Sequence, residues 1–403
     1  GAMIWMWLAA LFGMATKYSE GLLAVKYRSI DEDGHVLGGP FYYIERGMKQ
    51  RLPQISWRWL AKIFAFFGMC VGLFGIGTFT QVNSINSAIT GFFDPNMAHT
   101  VSLFGMEYSL ATVIGSLVVA IFVGLVVIGG LKRISSVAQK VIPIMVVVYV
   151  GFSLVLIVVN ITALPDALVT IVESAFGLRA AAGGALGAII IAMQKGIARG
   201  IFSNEAGLGS APIAAAAAQT KEPVRQGMWG IFEVFADTMV VCTLTAFAVL
   251  SSGLIDLDTG AVLVDVSGSA LVGQAFATVF GSFGPAFIAI AILLFAFSTV
   301  LGWSHYGSKA CEYLFGTKST IVYKIAFVLM IFIGCTMNLG LAWDLSDTFN
   351  GLMAIPNLIG VIALSPVVMK ITKNYVARII KKEDVKPMLS IFPEIQEEQE
   401  KAM

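Results

Sequence analysis

The stretch Ile201-Phe202-Ser203-Asn204-Glu205-Ala206-Gly207-Leu208-Gly209-Ser210-Ala211-Pro212 interrupts a long apolar segment. Two glycines and a proline in this stretch oppose continuous helix, and Glu205 places a carboxylate among them. Unwound backbone at membrane depth is tolerated where it is buried in protein or lines a cavity, and such interruptions bind substrates and ions in transporters. The pattern therefore predicts a broken membrane helix with a binding site at the break. The alternative is a plain kink or tight helix packing.

Composition indicates a membrane protein along the whole chain. Of the 403 residues, 57% are hydrophobic and only 13% are charged, so apolar stretches long enough to span a bilayer recur throughout. The predicted fold class is an all-α membrane protein. It has nine spans, at 1–27, 58–90, 108–131, 136–160, 183–220, 226–253, 274–308, 320–342 and 347–372.

The lysines and arginines are distributed unequally between the two sets of loops. Loops after spans 1, 3, 5, 7 and 9 hold sixteen of them, whereas loops after spans 2, 4, 6 and 8 hold only Arg179. Short loops rich in lysine and arginine stay in the cytoplasm. The amino-terminal end of the sequence is therefore predicted to lie on the outer side of the cell membrane. Residues 1–380 form the transmembrane domain, and 381–403 form a polar, solvated cytoplasmic tail.

Several classes of function lack their sequence signals. No phosphate-binding glycine loop, nucleophile elbow, zinc-binding His-Glu motif or paired-cysteine motif occurs, which argues against an ATP-driven pump, a membrane hydrolase or any enzyme. The four cysteines and three histidines have no spacing typical of metal ligands. A net charge of +1 with dispersed basic residues does not indicate binding to nucleic acid.

The predicted break carries groups that suit both signs of charge. Carbonyls freed from a helix can face a cation, and amides at a half-helix N-terminus favour an anion such as a carboxylate. Upstream, Lys195 and Arg199 lie one turn apart and either neutralise this region or extend towards the outer surface. The candidate binding residues at the break are Phe202, Ser203, Asn204, Glu205, Gly207 and Gly209.

Other apolar spans also carry polar side chains. Ser298 and Thr299 place two hydroxyls before Trp303, which suits a hard cation beside an aromatic wall, unless both hydroxyls bond to their own helix. Gln81 follows a stripe of glycines that favours close helix packing and can reach a polar cavity. Asp237 lies deep enough to need a partner, and structural pairing is its favoured role. Four residues indicate span ends and turns: Asn338, Asp347, Asn350 and Asn357.

The sequence resembles the alanine or glycine:cation symporter family in blocks that follow one another along the chain. They are Ile4–Trp7 with Ala15–Tyr18, Gly38–Ile44, Gly200–Ile213, Phe297–Trp303 and Asn350–Asn357. The resemblance implies a leucine-transporter-like fold, with two inverted repeats of five helices and with substrate and sodium between broken helices one and six. Span 5 would then be core helix six, and span 7 would be core helix eight.

The resemblance also implies an activity, namely uptake of alanine or glycine with Na⁺ or a proton by alternating access. Sodium would bind Ser298, Thr299 and the Phe295 carbonyl. The substrate would bind the break together with Gln81, Thr299 and Trp303. The family's first core helix is not present, so we expect an amino-truncated chain that does not transport alone. The rival expectations are a passive channel and a non-transporting scaffold in the lipid bilayer.

Overall fold

The structure is a computed structural model that describes residues 1–31, 35–94, 97–103, 106–178, 184–266 and 268–401. Arg179, used above to predict topology, lies outside the described residues. The α-helices are α1 (Ala2–Lys26), α2 (Pro40–Tyr42), α3 (Met48–Arg51), α4 (Arg58–Phe74), α5 (Phe79–Phe93), α6 (Leu110–Ile128), α7 (Gly130–Val159), α8 (Leu164–Ala175), α9 (Ala185–Asn204), α10 (Ala211–Ala215), α11 (Pro223–Val234), α12 (Thr243–Leu250), α13 (Gly268–Phe280), α14 (Phe283–Phe315), α15 (Ser319–Thr336), α16 (Leu339–Tyr375) and α17 (Pro393–Lys401).

Shorter elements connect these helices. Wider π-helical turns occupy Tyr43–Gly47, Phe235–Cys242 and Val376–Ile380, and a 3₁₀ turn occupies Ile161–Ala163. Two antiparallel ribbons are formed by β1 (Ser29–Ile30) with β2 (Val36–Leu37) and by β3 (Thr100–Leu103) with β4 (Met106–Ser109). These ribbons lie in loops between helices, so the all-α class is confirmed for the membrane-length elements.

Eight segments among the described residues are long and apolar enough to cross a membrane. They coincide with eight of the nine predicted spans, and they are Arg58–Phe93, Leu110–Ile128, Gly130–Val159, Ala185–Asn204, Pro223–Leu250, Phe283–Phe315, Ser319–Thr336 and Leu339–Ile380. The remaining predicted span, 1–27, forms the 25-residue helix α1. It is not among the eight, and its second half carries the buried charged residues Lys17 and Glu20.

Two predicted spans are divided in the structure. The span predicted at 58–90 is interrupted between α4 and α5, where the Thr78 hydroxyl donates to the Leu73 carbonyl at 2.6 Å. The span predicted at 274–308 begins in α13 and continues in α14, with Gly281 between them at φ 58°. A positive φ ends a helix cheaply only at glycine. Hydropathy alone does not reveal either division, because the interrupting residues are themselves apolar or small.

The glycine stripe of α4 packs closely against α14, as predicted. A Cβ atom on Gly72 would lie 3.4 Å from the Gly307 Cα. Gly77, in the interruption after α4, approaches even more closely, since a Cβ there would lie 2.5 Å from the Cβ of Trp303. Side chains from α1, α4, α14 and α16 form the main apolar core around this contact, including Leu22, Phe64 and Met353.

The tail is only partly solvated, in contrast to the prediction. Lys26, at the end of α1, donates from Nζ to the Ser390 carbonyl at 3.0 Å, and its own carbonyl accepts from the Ile391 amide at 3.3 Å. Leu389 is buried beside this contact. The tail is rich in charged residues overall, but a short apolar stretch around Leu389 packs against the end of α1.

Candidate functional site

The predicted helix interruption is present at the expected position. Helix α9 ends at Asn204, and positive φ angles follow at Glu205 (57°), Gly207 (86°) and Gly209 (79°) before α10 begins. Helix α10 spans only five residues. The expected half-helix N-terminus is therefore too short to supply a substantial dipole, and freed groups of the unwound segment must provide most of the local polarity.

The end of α9 is held by side chains from two other elements. Lys17 of α1 donates from Nζ to the Asn204 carbonyl at 2.6 Å, which places a cation at a helix C-terminus, where the helix dipole favours it. The Asn204 side chain accepts from the Ala206 amide at 2.9 Å and donates to the Thr238 hydroxyl at 3.0 Å. The backbone at the break is thus positioned by specific hydrogen bonds.

Glu205 has two hydrogen-bond donors. The Trp303 indole N–H donates to Oε1 at 2.9 Å, and the Ser210 hydroxyl donates to Oε2 at 2.5 Å. Both carboxylate oxygens of Glu205 are therefore held in place by side-chain donors. Trp303 is almost fully buried, and its polar edge faces Glu205.

A cavity of about 480 Å³ opens beside the break. Its wall includes Ser203, Asn204 and Glu205, which were predicted from the sequence. Lys17 contributes a positively charged side chain to the same wall. Four acidic residues also line the cavity: Glu20, Glu205, Glu233 and Asp237. Carboxylates outnumber the lysine, so the cavity favours a ligand that carries a positively charged group.

Glu20 and Asn357 form a buried link between α1, the break and α16. The Asn357 amide donates to Glu20 Oε1 at 2.6 Å and to the Gly207 carbonyl at 2.9 Å, and the Tyr43 hydroxyl donates to Asn357 Oδ1. Glu20, Tyr43 and Asn357 are all fully buried. Asn357 was predicted as a span-end or turn residue, as were Asp347 and Asn350, and this is wrong for all three because they lie within α16. Asn338 does cap that helix, as predicted, by accepting from the Gly340 amide at 2.8 Å.

A second cavity, of about 390 Å³, meets the first at two shared residues. Ser203 and Asp237 line both cavities, and the Ser203 hydroxyl donates to the Asp237 carboxylate. Gln81 and Phe295 line only the second cavity. The sequence-predicted residues that line a cavity are therefore divided between two adjoining spaces, with the polar pair at their boundary. Six predicted residues line neither of these two cavities: Phe202, Gly207, Gly209, Ser298, Thr299 and Trp303. Asp237 also accepts from the Thr238 hydroxyl at 3.1 Å, so it has the partners that its depth requires.

The paired hydroxyls of α14 follow the alternative in which they bond to their own helix. Ser298 and Thr299 donate to the Phe295 carbonyl at 2.7 Å and 3.1 Å. Neither residue lines either of the two cavities. A hydroxyl that donates to a carbonyl keeps its own lone pairs, so the two hydroxyl oxygens can still face a cation, whereas the Phe295 carbonyl already accepts from both hydroxyls.

Phe202 and Arg199 of α9 belong to an aromatic and charged cluster with Trp343 of α16. The Phe202 ring centroid lies 4.7 Å from that of Trp343, and the Arg199 guanidinium lies 4.2 Å from the Trp343 centroid. Arg199 also forms an ion pair with Asp347 of α16. Arg199 is therefore paired and packed, and it connects α9 to α16 instead of neutralising the break.

Lys17 and Glu20 are the candidate site residues that the sequence interpretation did not assign. Both are charged residues within an apolar segment, which is itself an indication of function or pairing. Their spacing of three places them on one face of α1, towards the cavity. This local signal was available, whereas their contacts with Asn204 and Asn357 depend on tertiary structure.

Membrane-length helices with a charged cavity at an interrupted helix define a multi-pass membrane protein of the solute-transporter type. The chain belongs to the sodium:alanine symporter family, whose profile matches residues 1–389. The family consists of transporters and not of enzymes, as the absence of catalytic motifs predicted.

Three relatives of this chain differ in their names and in their sequence identity to it. The chain is 44% identical to an uncharacterized transporter of Haemophilus influenzae, over 94% of this chain and 77% of the relative. It is 43% identical to the sodium/alanine symporter AgcS of Methanococcus maripaludis, over 93% of this chain and 77% of the relative. It is 40% identical to the probable sodium/glutamine symporter GlnT of Bacillus subtilis, over 93% of this chain and 72% of the relative.

Proposed function

We propose that this protein is a sodium-coupled symporter that takes up a small neutral amino acid, alanine or glycine, by alternating access. The observation that carries the proposal is the charged cavity bordered by the helix interruption at Asn204–Ser210. The names of two relatives, one a sodium/alanine symporter and one a probable sodium/glutamine symporter, support sodium coupling and an amino-acid substrate.

The proposed architecture is the leucine-transporter-like inverted repeat, with α1 as a ninth span. In it, α9 and α10 together correspond to core helix six and α14 corresponds to core helix eight. The protein lies in the cell membrane with its tail in the cytoplasm, following the distribution of lysine and arginine among the loops.

The cavity chemistry fits a zwitterion. The substrate ammonium would face the acidic wall, which includes Glu205 and Asp237, and the substrate carboxylate would meet Lys17 or freed amides of the break. The proposed substrate residues are Phe202, Ser203, Asn204, Glu205, Gly207, Gly209, Gln81, Thr299 and Trp303. Trp303 would act by holding Glu205 in place, since its indole is hydrogen-bonded to that carboxylate.

Sodium is the proposed coupling ion, at Ser298, Thr299 and the Phe295 carbonyl. Coupling follows when sodium and the amino acid each favour the same closed arrangement, because each then raises the affinity of the other. A proton is the alternative coupling ion.

Thr299→Ala tests this assignment of the cation site. Removal of one oxygen ligand should raise the sodium concentration for half-maximal alanine uptake by about tenfold, which corresponds to about 1.4 kcal/mol. Thr336→Ala is the control, since the Thr336 hydroxyl also bonds to carbonyls of its own helix, in α15. An unchanged sodium dependence in Thr299→Ala places the cation elsewhere.

Uptake by the full gene product in proteoliposomes tests the proposed function as a whole. An inward sodium gradient should drive labelled alanine above its external concentration, and an equal potassium gradient should not. A channel would only equilibrate alanine, and a scaffold would show neither uptake nor sodium-dependent binding. Competition by excess unlabelled glycine or glutamine then ranks the substrates. A proton gradient that drives uptake without sodium would reassign the coupling ion.

A further inference from the structure

A third cavity, of about 460 Å³, has a basic wall and is also lined by Ile213 and Ala217, which follow the helix interruption. It is bounded by the junction of α6 and α7, the last turns of α14 and the first turns of α15. Five lysine or histidine side chains line it: His35, Lys132, His305, Lys309 and Lys324. The loops at this end of the helices are those predicted to be cytoplasmic.

Two of the lysines keep an uncompensated charge. Lys309 pairs with Glu312 at 2.9 Å, and His35 lies 3.5 Å from Asp31, so those two groups have acidic partners. Within the ranges that the structure describes, Lys132 and Lys324 have no ion-pair partner. Their positive charges therefore attract an anion into the cavity.

The cavity wall also offers a hydroxyl that suits a phosphodiester. Ser304, Ser308 and Thr320 line the cavity. The Ser304 and Thr320 hydroxyls already donate to backbone carbonyls, so the Ser308 hydroxyl is the one we expect to donate to a phosphate oxygen. The lysine ammonium groups supply charge-assisted hydrogen bonds to the same oxygens, which are about twice as strong as neutral ones. The wall is thus suited to a singly charged phosphate group.

Apolar side chains outside the cavity distinguish a lipid from a soluble anion. Ile128 adjoins the cavity at the end of α6 and is 72% exposed, and Ile325 adjoins Lys324 on α15 and is 58% exposed. Both helices are long enough and apolar enough to cross a membrane, so we expect these exposed side chains to face hydrocarbon. An acyl chain can pack against this surface, whereas inorganic phosphate has no apolar group that would contact it.

We propose that this cavity binds the headgroup of an anionic phospholipid, with its acyl chains against α6 and α15. Basic pockets between helices at the cytoplasmic side recognise such headgroups through the same charge complementarity. In this proposal Lys132 of α7 and Lys324 of α15 contact the phosphate, and the site shares no lining residue with the cavity proposed for the amino acid.

Native mass spectrometry of the purified full chain with phosphatidylglycerol or phosphatidylcholine tests this proposal. Phosphatidylglycerol should be retained preferentially. Each of Lys132→Gln and Lys324→Gln should weaken its binding by about fivefold, and the double variant by about 30-fold. Lys324→Arg should retain binding because it keeps the charge. The control is Lys381→Gln with Lys382→Gln, which removes two exposed charges from the tail and should have no effect.

Three results would overturn the proposal. Equal weakening in the control pair would mean that binding follows net charge and not this cavity. Equal retention of the two lipids would exclude recognition of a charged headgroup. Displacement of phosphatidylglycerol by inorganic phosphate at a similar concentration would identify a phosphate site to which the apolar surface contributes nothing.

Discussion

Asn357→Leu is expected to lower the apparent melting temperature of the purified protein by at least about 5 °C, and to remove most amino-acid uptake. The asparagine amide donates to Glu20 and to the Gly207 carbonyl, and its oxygen accepts from Tyr43. Leucine makes none of these bonds. A fully buried carboxyl group that loses its side-chain donor costs about 3 kcal/mol, and the unwound segment loses its attachment to α16.

Asn350→Leu provides a matched control for this prediction. Asn350 lies two turns earlier on the same helix and is also buried, but its Oδ1 has no hydrogen-bond partner among the described residues. Thermal unfolding and sodium-driven uptake should therefore change little in this variant. Equal losses in both variants would show that α16 is generally intolerant of leucine and that the link to Glu20 has no special role.

Gly209→Ala is expected to reduce uptake by at least about tenfold, since it forces the helix interruption to move. A Cβ at this position would lie 2.8 Å from both the Asn357 Cγ and the Phe64 Cε2, and the backbone φ of 79° is itself unfavourable for alanine. Strain of this kind costs about 1–3 kcal/mol before any clash is relieved. Kinetic constants and thermal unfolding measured together separate a displaced site from a destabilised protein.

Gly151→Ala is the corresponding control in α7. A Cβ there would meet no atom within 4 Å, and glycine to alanine in a helix gains up to about 1 kcal/mol. This variant should transport normally with equal or higher thermal stability. Normal uptake by Gly209→Ala would mean that the close approach to Asn357 is not needed for the transport cycle.

The sequence predicted the elements whose signal is local. Apolar runs located eight membrane-length segments, and the glycines and proline of 201–212 located the interruption. The division between α4 and α5 was not predicted, because glycines at 72 and 77 also favour close packing and the structure uses them for that contact. The composition of this stretch could not distinguish close helix packing from a helix interruption, because the same few residues do both.

The sequence predicted the part of the candidate site that lies within the single segment 201–212. Ser203, Asn204 and Glu205 were found because they lie within the interruption, and they do line the cavity. Glu20 and Asn357 are 337 residues apart and meet only through tertiary packing, so no periodicity in one sequence can pair them. Residue type also misled at Asn357, because asparagine is commoner at turns than inside buried helices.

Trp303 touches both interrupted segments of the molecule. Its indole N–H holds Glu205 at the break after α9, and its Cβ lies against Gly77 at the break after α4. The side chain is nearly fully buried and has no free volume in which to turn. We therefore expect a displacement at either break to shift the Trp303 side chain and through it the other break, so that the two interruptions move together.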